Sequence, residues 1–211
     1  MTTMKNMMIS AMLASCSLCQ AQDIQLNEPT KNRGNDIMQT LWDRQSVREY
    51  SEQELSPQDL SDLLWATAGI SRTDGRITSP TARNMQEIRV YVFNKDGAYL
   101  YDAKDRKLSL VVKGDHRKLI AGFQEFAAKA PVSILLVADF DKFGSDNEHA
   151  RMMVYADAGI ACENIYMFCA GTGMATVTRG TMDSKALQQL LGLTEKQVPV
   201  LNNPVGYPAK K

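Results

Sequence analysis

Apolar positions along this chain switch between a helical and a strand-like period. Asp36 can cap a short helix through Trp42, with Ile37, Leu41 and Trp42 as its apolar side. Ser56-Pro57 gives an N-cap and a first-turn proline to a helix carrying Leu60, Leu63, Leu64 and Ala68 as far as Gly69, and Trp65 lies beside that stripe as a core residue. Glu87 to Phe93 reads as a strand, Lys95-Asp96-Gly97 as a turn, and Ala98 to Tyr101 as the returning strand of a hairpin. Leu108 to Val112 adds a third short strand, and Asp115 caps a helix with Leu119, Ile120, Phe123 and Phe126. Pro131 to Ala138 is continuously apolar, as expected of a strand buried on both faces.

The longest periodic segment spans residues 146–170. Met152, Met153, Tyr155, Ala156, Ile160, Ala161, Ile165, Phe168 and Cys169 leave it little polar surface, so burial nearly all round is expected, in a central helix or at a dimer interface. Asp157, Glu163 and Asn164 argue against a membrane span. Gly171 and Gly173 end the helix, and Ala175 to Thr178 is a strand. Asp183 caps a helix through Leu191 with Gly192 just past its end, and Val198 to Leu201 is the last strand.

A length of 211 residues with 44% hydrophobic and 23% charged content suits one α/β domain with an ample core. The formal net charge of zero gives no global field for nucleic acid or an anionic membrane. Residues 1–21 read as a leader: Lys5, then an apolar run from Met7 to Ala14 that is too short to span a bilayer. Two cleavages fit it. Ala21 can end a secretory signal peptide, and Leu13-Ala14-Ser15-Cys16 is similar to a lipobox that would anchor Cys16 to lipid. Either implies export, to the periplasm in soluble form or to the membrane through the lipid. Residues 22–35 are polar and turn-rich, a linker or arm before the domain at 36–211. Cys162 and Cys169, seven positions apart on a helix, are separated by about 10 Å, beyond the reach of about 7 Å for a disulfide. They are expected as buried free thiols.

Chemistry concentrates in Arg44-Gln45-Ser46-Val47-Arg48. In an extended segment Arg44, Ser46 and Arg48 share a face and offer two guanidinium forks and a hydroxyl to a phosphate or another planar anion. An exposed basic turn is the alternative. The two histidines, His116 and His149, lie far apart without ligand spacing, no Gly-x-Ser-x-Gly elbow occurs, and Gly171-Thr172-Gly173 follows a helix rather than a strand. What remains is a cofactor that carries its own chemistry.

Arg-x-Ser-x-Arg after a short helix, followed by Ser79-Pro80-Thr81-Ala82-Arg83-Asn84-Met85-Gln86 running into a strand, resembles the nitroreductase-like flavoprotein family. Ala130-Pro131-Val132, the passage from Gly171 to Val177 and Val205-Gly206-Tyr207-Pro208 fit the same order, so the resemblance covers roughly residues 36–208. It implies an α+β fold with a mixed, mostly antiparallel sheet, flanking helices, a long buried central helix and an intertwined homodimer. It implies FMN at the dimer interface and ping-pong electron transfer from NAD(P)H or another donor to a small conjugated acceptor of nitro or quinone type. Arg44, Ser46 and Arg48 would hold the phosphate, ribityl or pyrimidine edge, and Pro80, Thr81, Ala82 and Asn84 would reach the flavin from the other subunit. The backbone of Thr178, Arg179 and Gly180 would lie beside the reactive ring edge, and Lys210 or Lys211 would stand in for a distal basic phosphate contact. No protein acid is called for, because the flavin N5 carries the hydride. Arg179 puts a positive charge where many relatives carry an acid, to favour anionic reduced flavin or to pair with Asp183. Export would leave little NAD(P)H to use as donor. Other readings of the same fold are a flavin-binding or lipid-anchored interaction protein without turnover, and a dehydrogenase of a peptide-derived or aromatic substrate.

Overall fold

A computed structural model describes residues 22–209. The leader, its cysteines, Lys210 and Lys211 lie outside that range, so the expectations placed on them have no structural counterpart here. In chain order the elements are β1 (Ile24–Gln25), α1 (Ile37–Asp43), α2 (Pro57–Ala68), β2 (Ile88–Phe93), β3 (Gly97–Asp102), β4 (Lys107–Lys113), α3 (Arg117–Ala121), β5 (Val132–Asp139), α4 (Phe140–Phe143), α5 (Glu148–Thr172), β6 (Ala175–Thr176), α6 (Ser184–Leu191) and β7 (Gln197–Gly206). The seven strands form one sheet in the order β1-β4-β3-β2-β5-β7-β6. Every pairing among them is antiparallel, so the α+β class holds and the sheet has no parallel pair among the described strands.

β5 lies inside the sheet between β2 and β7 and is buried along its whole length. Its period of two sends Ile134 and Leu136 to one face, where they join Val90 and Val92 of β2 beneath Leu63 and Leu64 of α2 and Ala158, Cys162 and Ile165 of α5. Leu135 and Val137 point the other way, to Tyr91, Phe93, Ile120 and the α6 residues Leu187 and Leu191. Helices on both faces explain why the strand reads as an unbroken apolar run.

Capping set several boundaries as the sequence implied. The side chains of Asp36, Ser56 and Asp183 accept the backbone N–H three residues on, and Gly173 and Gly192 close α5 and α6 in the left-handed conformation. The expected helix after Asp115 is interrupted, however. α3 stops at Gly122, which has φ 57°, and a separate 3₁₀ turn follows over Glu125–Lys129, leaving Phe123 exposed.

One expectation changes, and two apolar faces stay open in the single chain. The arm at 22–35 is docked rather than free: β1 pairs with β4, and the Arg33 guanidinium bonds the carboxylates of Asp59 and Asp62 on α2. α1 buries only Thr40, leaving Ile37, Met38, Leu41 and Trp42 exposed, because the Thr40 side chain sits against Gly171 at the end of α5. α5 is buried on one stripe only, Ala150, Val154, Ala158, Ala161, Cys162, Ile165 and Cys169. The opposite stripe of Met152, Tyr155, Ala156, Gly159 and Ile160 faces outward. Cys162 and Cys169 are buried free thiols, and burial pushes Cys162 up to about 12 and Cys169 higher still.

Candidate functional site

The segment after α1 leaves the helix at Arg44, with φ −58° and ψ 116°, and continues without regular structure to Tyr50. It is anchored midway, where the Val47 N–H donates to the Thr176 carbonyl of β6 at 2.9 Å. Alternate residues therefore face opposite ways. Arg44 lays its guanidinium over the Tyr166 ring, 5.2 Å from the centroid, and Ser46 Oγ lies 2.8 Å from Tyr166 Oη. Arg48, two positions on, is exposed. Gln45 and Val47 turn instead towards a cavity of about 980 Å³, lined also by Trp42, Gly171, Met174 and Pro208. The cavity and the arginine face thus lie on different sides of the segment, and Tyr166 borders both.

Tyr166 also joins a second candidate stretch. Its hydroxyl accepts the Thr178 N–H at 3.0 Å, while Asn203 of β7 donates to Thr178 Oγ1 at 3.0 Å. Ser46 and Thr178 are thereby brought onto one tyrosine. The backbone at Gly180 is open, since a Cβ there would meet no atom within 4 Å.

Arg179 is the correction in this stretch. Its side chain is buried, bonding Gln124 Oε1 and Asn202 Oδ1 at 2.8 Å each and the carbonyls of Ile120 and Ala121. Burial lowers its pKa. Asp183 is occupied in capping α6 and makes no ion pair with Arg179. The guanidinium therefore does not pair with Asp183; it ties α3 and the 3₁₀ turn to β7. Only its backbone, paired in both directions with Asn202, stays with Thr178 and Gly180.

Pro80, Thr81, Ala82 and Asn84 form a second locus, away from Tyr166. Arg83, Asn84 and Gln86 have φ of 54°, 56° and 50°, the left-handed region that costs non-glycine residues about 1–2 kcal/mol each. Several bonds hold this loop in place. The Ala82 N–H donates to Asp157 Oδ2 at 2.7 Å, the Gln86 N–H to Thr81 Oγ1 at 2.8 Å, Lys142 Nζ to the Gln86 carbonyl at 2.7 Å, and Arg83 to the Phe143 carbonyl at 3.2 Å. Asp157 and Tyr166 lie nine positions apart on α5, about 13.5 Å along its axis at about 1.5 Å per residue. One chain alone does not bring the two loci together.

Sequence reading missed Tyr166, Asp157 and Glu87. Asp157 had a signal, since an acid on the 150, 154, 158, 161 stripe must be buried. Tyr166 had none, because its partners lie 120 and 12 residues away.

The residues fit a phosphorylated flavin. Arg44 and Ser46 meet on Tyr166 with the exposed Arg48 two positions on, donors suited to a phosphate, and the backbone at Gly180 offers close approach. The adjoining cavity falls within the roughly 300–1,000 Å³ usual for small-molecule sites. Among the described residues no cluster of three His, Cys, Asp or Glu could hold a metal, and no helix is long and apolar enough to cross a membrane.

Comparison with known proteins gives the family. The model of the nitroreductase family matches residues 41–207. A candidate nitroreductase of Methanocaldococcus jannaschii is 26% identical over 87% of this chain and 96% of that relative. The FMN reductase [NAD(P)H] of Bacillus subtilis is 24% identical over 84% of this chain and 68% of that relative. The crystal structure of a candidate nitroreductase from Ralstonia eutropha superposes with a TM-score of 0.85 at 34% identity, covering 90% of this chain and 91% of that one.

Proposed function

The chain belongs to the nitroreductase family of oxidoreductases, and from that premise we propose that it is an FMN-dependent enzyme passing reducing equivalents to a small conjugated organic acceptor. The observation that carries this reading is the Tyr166 hydroxyl, which joins Ser46 of the Arg44–Arg48 segment to the backbone of Thr178. Arg44 and Arg48 would take the phosphate, Ser46 would hydrogen-bond beside it, and the open backbone from Thr178 to Gly180 would lie along the ring. FMN supplies the two-electron chemistry when bound. The chain's task is to bind, orient and exclude water, which fits a site without a nucleophile–base pair.

Completion of the site calls for a second copy of the chain. The Pro80–Asn84 loop is bonded to Asp157, about 13.5 Å along α5 from Tyr166 by the helical rise of about 1.5 Å per residue, so it would serve a partner's flavin. The exposed apolar residues of α1 and α5 supply a surface for that dimer: Met38 is 71% exposed, Trp42 88% and Met152 58%. A reduced pyridine nucleotide is the donor favoured by likeness to the Bacillus subtilis relative. The apolar run before Ala21 supports export to the periplasm, with a lipid anchor at Cys16 as the alternative; outside the cytoplasm another donor would be needed.

Visible absorption of the purified protein, with FMN identified after denaturation, tests the reading. Arg44→Ala and Arg48→Ala are each expected to weaken FMN binding about 10–100-fold, the usual loss of a charge-assisted bond. Stoichiometric FMN in both variants would sink the assignment.

A further inference from the structure

Glu87 stands where the strained loop enters β2, with no solvent exposure, and neither of its carboxylate oxygens has a hydrogen-bond partner. A charged carboxylate left in that state would cost several kcal/mol. Facing it across the gap between loop and helix is the Asp157 carboxyl of α5, itself 5% exposed. Asp157 Oδ2 already accepts the Ala82 N–H.

Other charges nearby are committed elsewhere. Lys142 of α4 favours the charged form of Glu87, with its ammonium donating to the Gln86 carbonyl, but burial and the neighbouring Asp157 outweigh it. Asp139 of β5 donates its N–H to the Glu87 carbonyl, while its carboxylate accepts the Lys142 N–H and Gln197 Nε2 and lies 3.7 Å from Arg89. Among the described residues no ion pair is made to either member of the pair, and two adjoining buried carboxyls keep a proton between them.

We propose that Glu87 and Asp157 share one proton, and that this proton holds the Pro80–Gln86 loop in its flavin-reaching form, so that FMN affinity is set by pH from a distance. With one proton, Glu87 donates to Asp157, and Asp157 keeps its charge for the Ala82 N–H. Without it, two buried carboxylates repel. The left-handed conformations at Arg83, Asn84 and Gln86 then favour release of the loop, because the bond at Ala82 is the restraint that Asp157 provides against them. Both acids are positioning residues that act through the loop.

Burial first, and the neighbouring Asp157 second, push Glu87 from 4.5 up to about 7. A carboxyl raised in the folded state contributes stability that is complete below about 4.5 and is lost as pH climbs through about 7. Loop geometry follows the folded-state value, so FMN affinity should hold below about 7 and then fall, by at most about tenfold per pH unit.

The functional arm of this proposal rests on the flavin reading; the titration of the pair does not. Two measurements on the purified protein separate them. FMN affinity is followed by fluorescence quenching from about pH 5 to about pH 8 in wild type and Glu87→Gln, whose amide donates to Asp157 at every pH. Affinity should fall above about 7 in wild type and stay flat in the variant. Equal pH dependence in the two would overturn the link to the loop. The Tm of the flavin-free proteins is measured over the same range. Wild type should lose Tm relative to Glu87→Gln as pH rises from about 5 to about 7. A constant difference would overturn the shared proton whether or not flavin binds, whereas the expected fall with no FMN binding at any pH would uphold the pair and reject the flavin reading. Should Glu87→Gln not fold, Asp157→Asn keeps an acceptor for Ala82 while removing the like charge. The affinity and Tm transitions should then move to lower pH, and unmoved transitions would overturn the proposal.

Discussion

Ser46 and Tyr166 meet hydroxyl to hydroxyl at 2.8 Å across 120 residues of chain, and the same tyrosine oxygen accepts the Thr178 N–H at 3.0 Å. A phenol placed this way makes one unit of two loops that share no secondary structure. Tyr166→Phe deletes the oxygen and keeps the ring that Arg44 stacks on. The part-buried Thr178 N–H would lose its acceptor, at a cost of about 1–2 kcal/mol, or roughly tenfold in FMN affinity if the loops must be held together to bind it. Titration of the variant with FMN checks this; unchanged affinity would show that the bridge is incidental to binding.

The face of α5 that carries Met152, Tyr155 and Ile160 is apolar and open, and α1 adds Ile37, Met38, Leu41 and Trp42. A charge in this face should oppose self-association and leave the single-chain core intact. Ile160→Glu is therefore expected to shift the protein from dimer to monomer in sedimentation velocity, and to lower FMN content with it. A dimer that survives the substitution with its flavin would place the interface elsewhere.

The central strand, the hairpin, the capped helices and the long helix were legible because each depends on local pattern. Pro131 to Ala138 could only be a strand covered on both faces, and Asp36, Ser56 and Asp183 announced the turns they cap. Long-range pairing left no such trace. β1 is two residues long and exists because Ile24 and Gln25 meet Leu108 and Lys107 at the sheet edge. Charge was the least reliable guide. Arg179 reads as a surface cation beside a functional stretch, yet neutral acceptors from α3, the 3₁₀ turn and β7 draw it inward. Amphipathic pattern likewise finds an apolar face on α1 and α5 without telling whether this chain or another copy covers it.

The placement of Arg179 can be separated from a role beside the cofactor. Arg179→Met removes the donors to Gln124, Asn202, Ile120 and Ala121 and leaves buried acceptors unpaired, at about 1–3 kcal/mol for each group left so. Tm should fall by several degrees, while the midpoint potential of bound flavin stays where it is in the wild type. A potential driven down by loss of the charge would put the guanidinium beside the ring after all.

Acid stability depends on the other end of α2. Burial pushes Asp59 up, but hydrogen bonds from Tyr207, Arg33 and Ser56 outweigh it and hold the carboxyl below its ordinary value of 3.8. A carboxyl depressed in the folded state contributes stability that is present above the unfolded value and lost as pH falls through the folded one. Asp59→Asn should therefore cost about 1–3 kcal/mol at neutral pH, where the charge-assisted bonds to Arg33 and Tyr207 are intact. The difference in Tm between wild type and variant should narrow below about pH 4 as wild-type Asp59 takes up its proton. This runs opposite to the Glu87 effect and falls in a different range, so one Tm-against-pH series on the two variants resolves both. A difference that stays constant down to acid pH would mean that Asp59 is not the group through which the arm, α2 and the C-terminal Tyr207 are held.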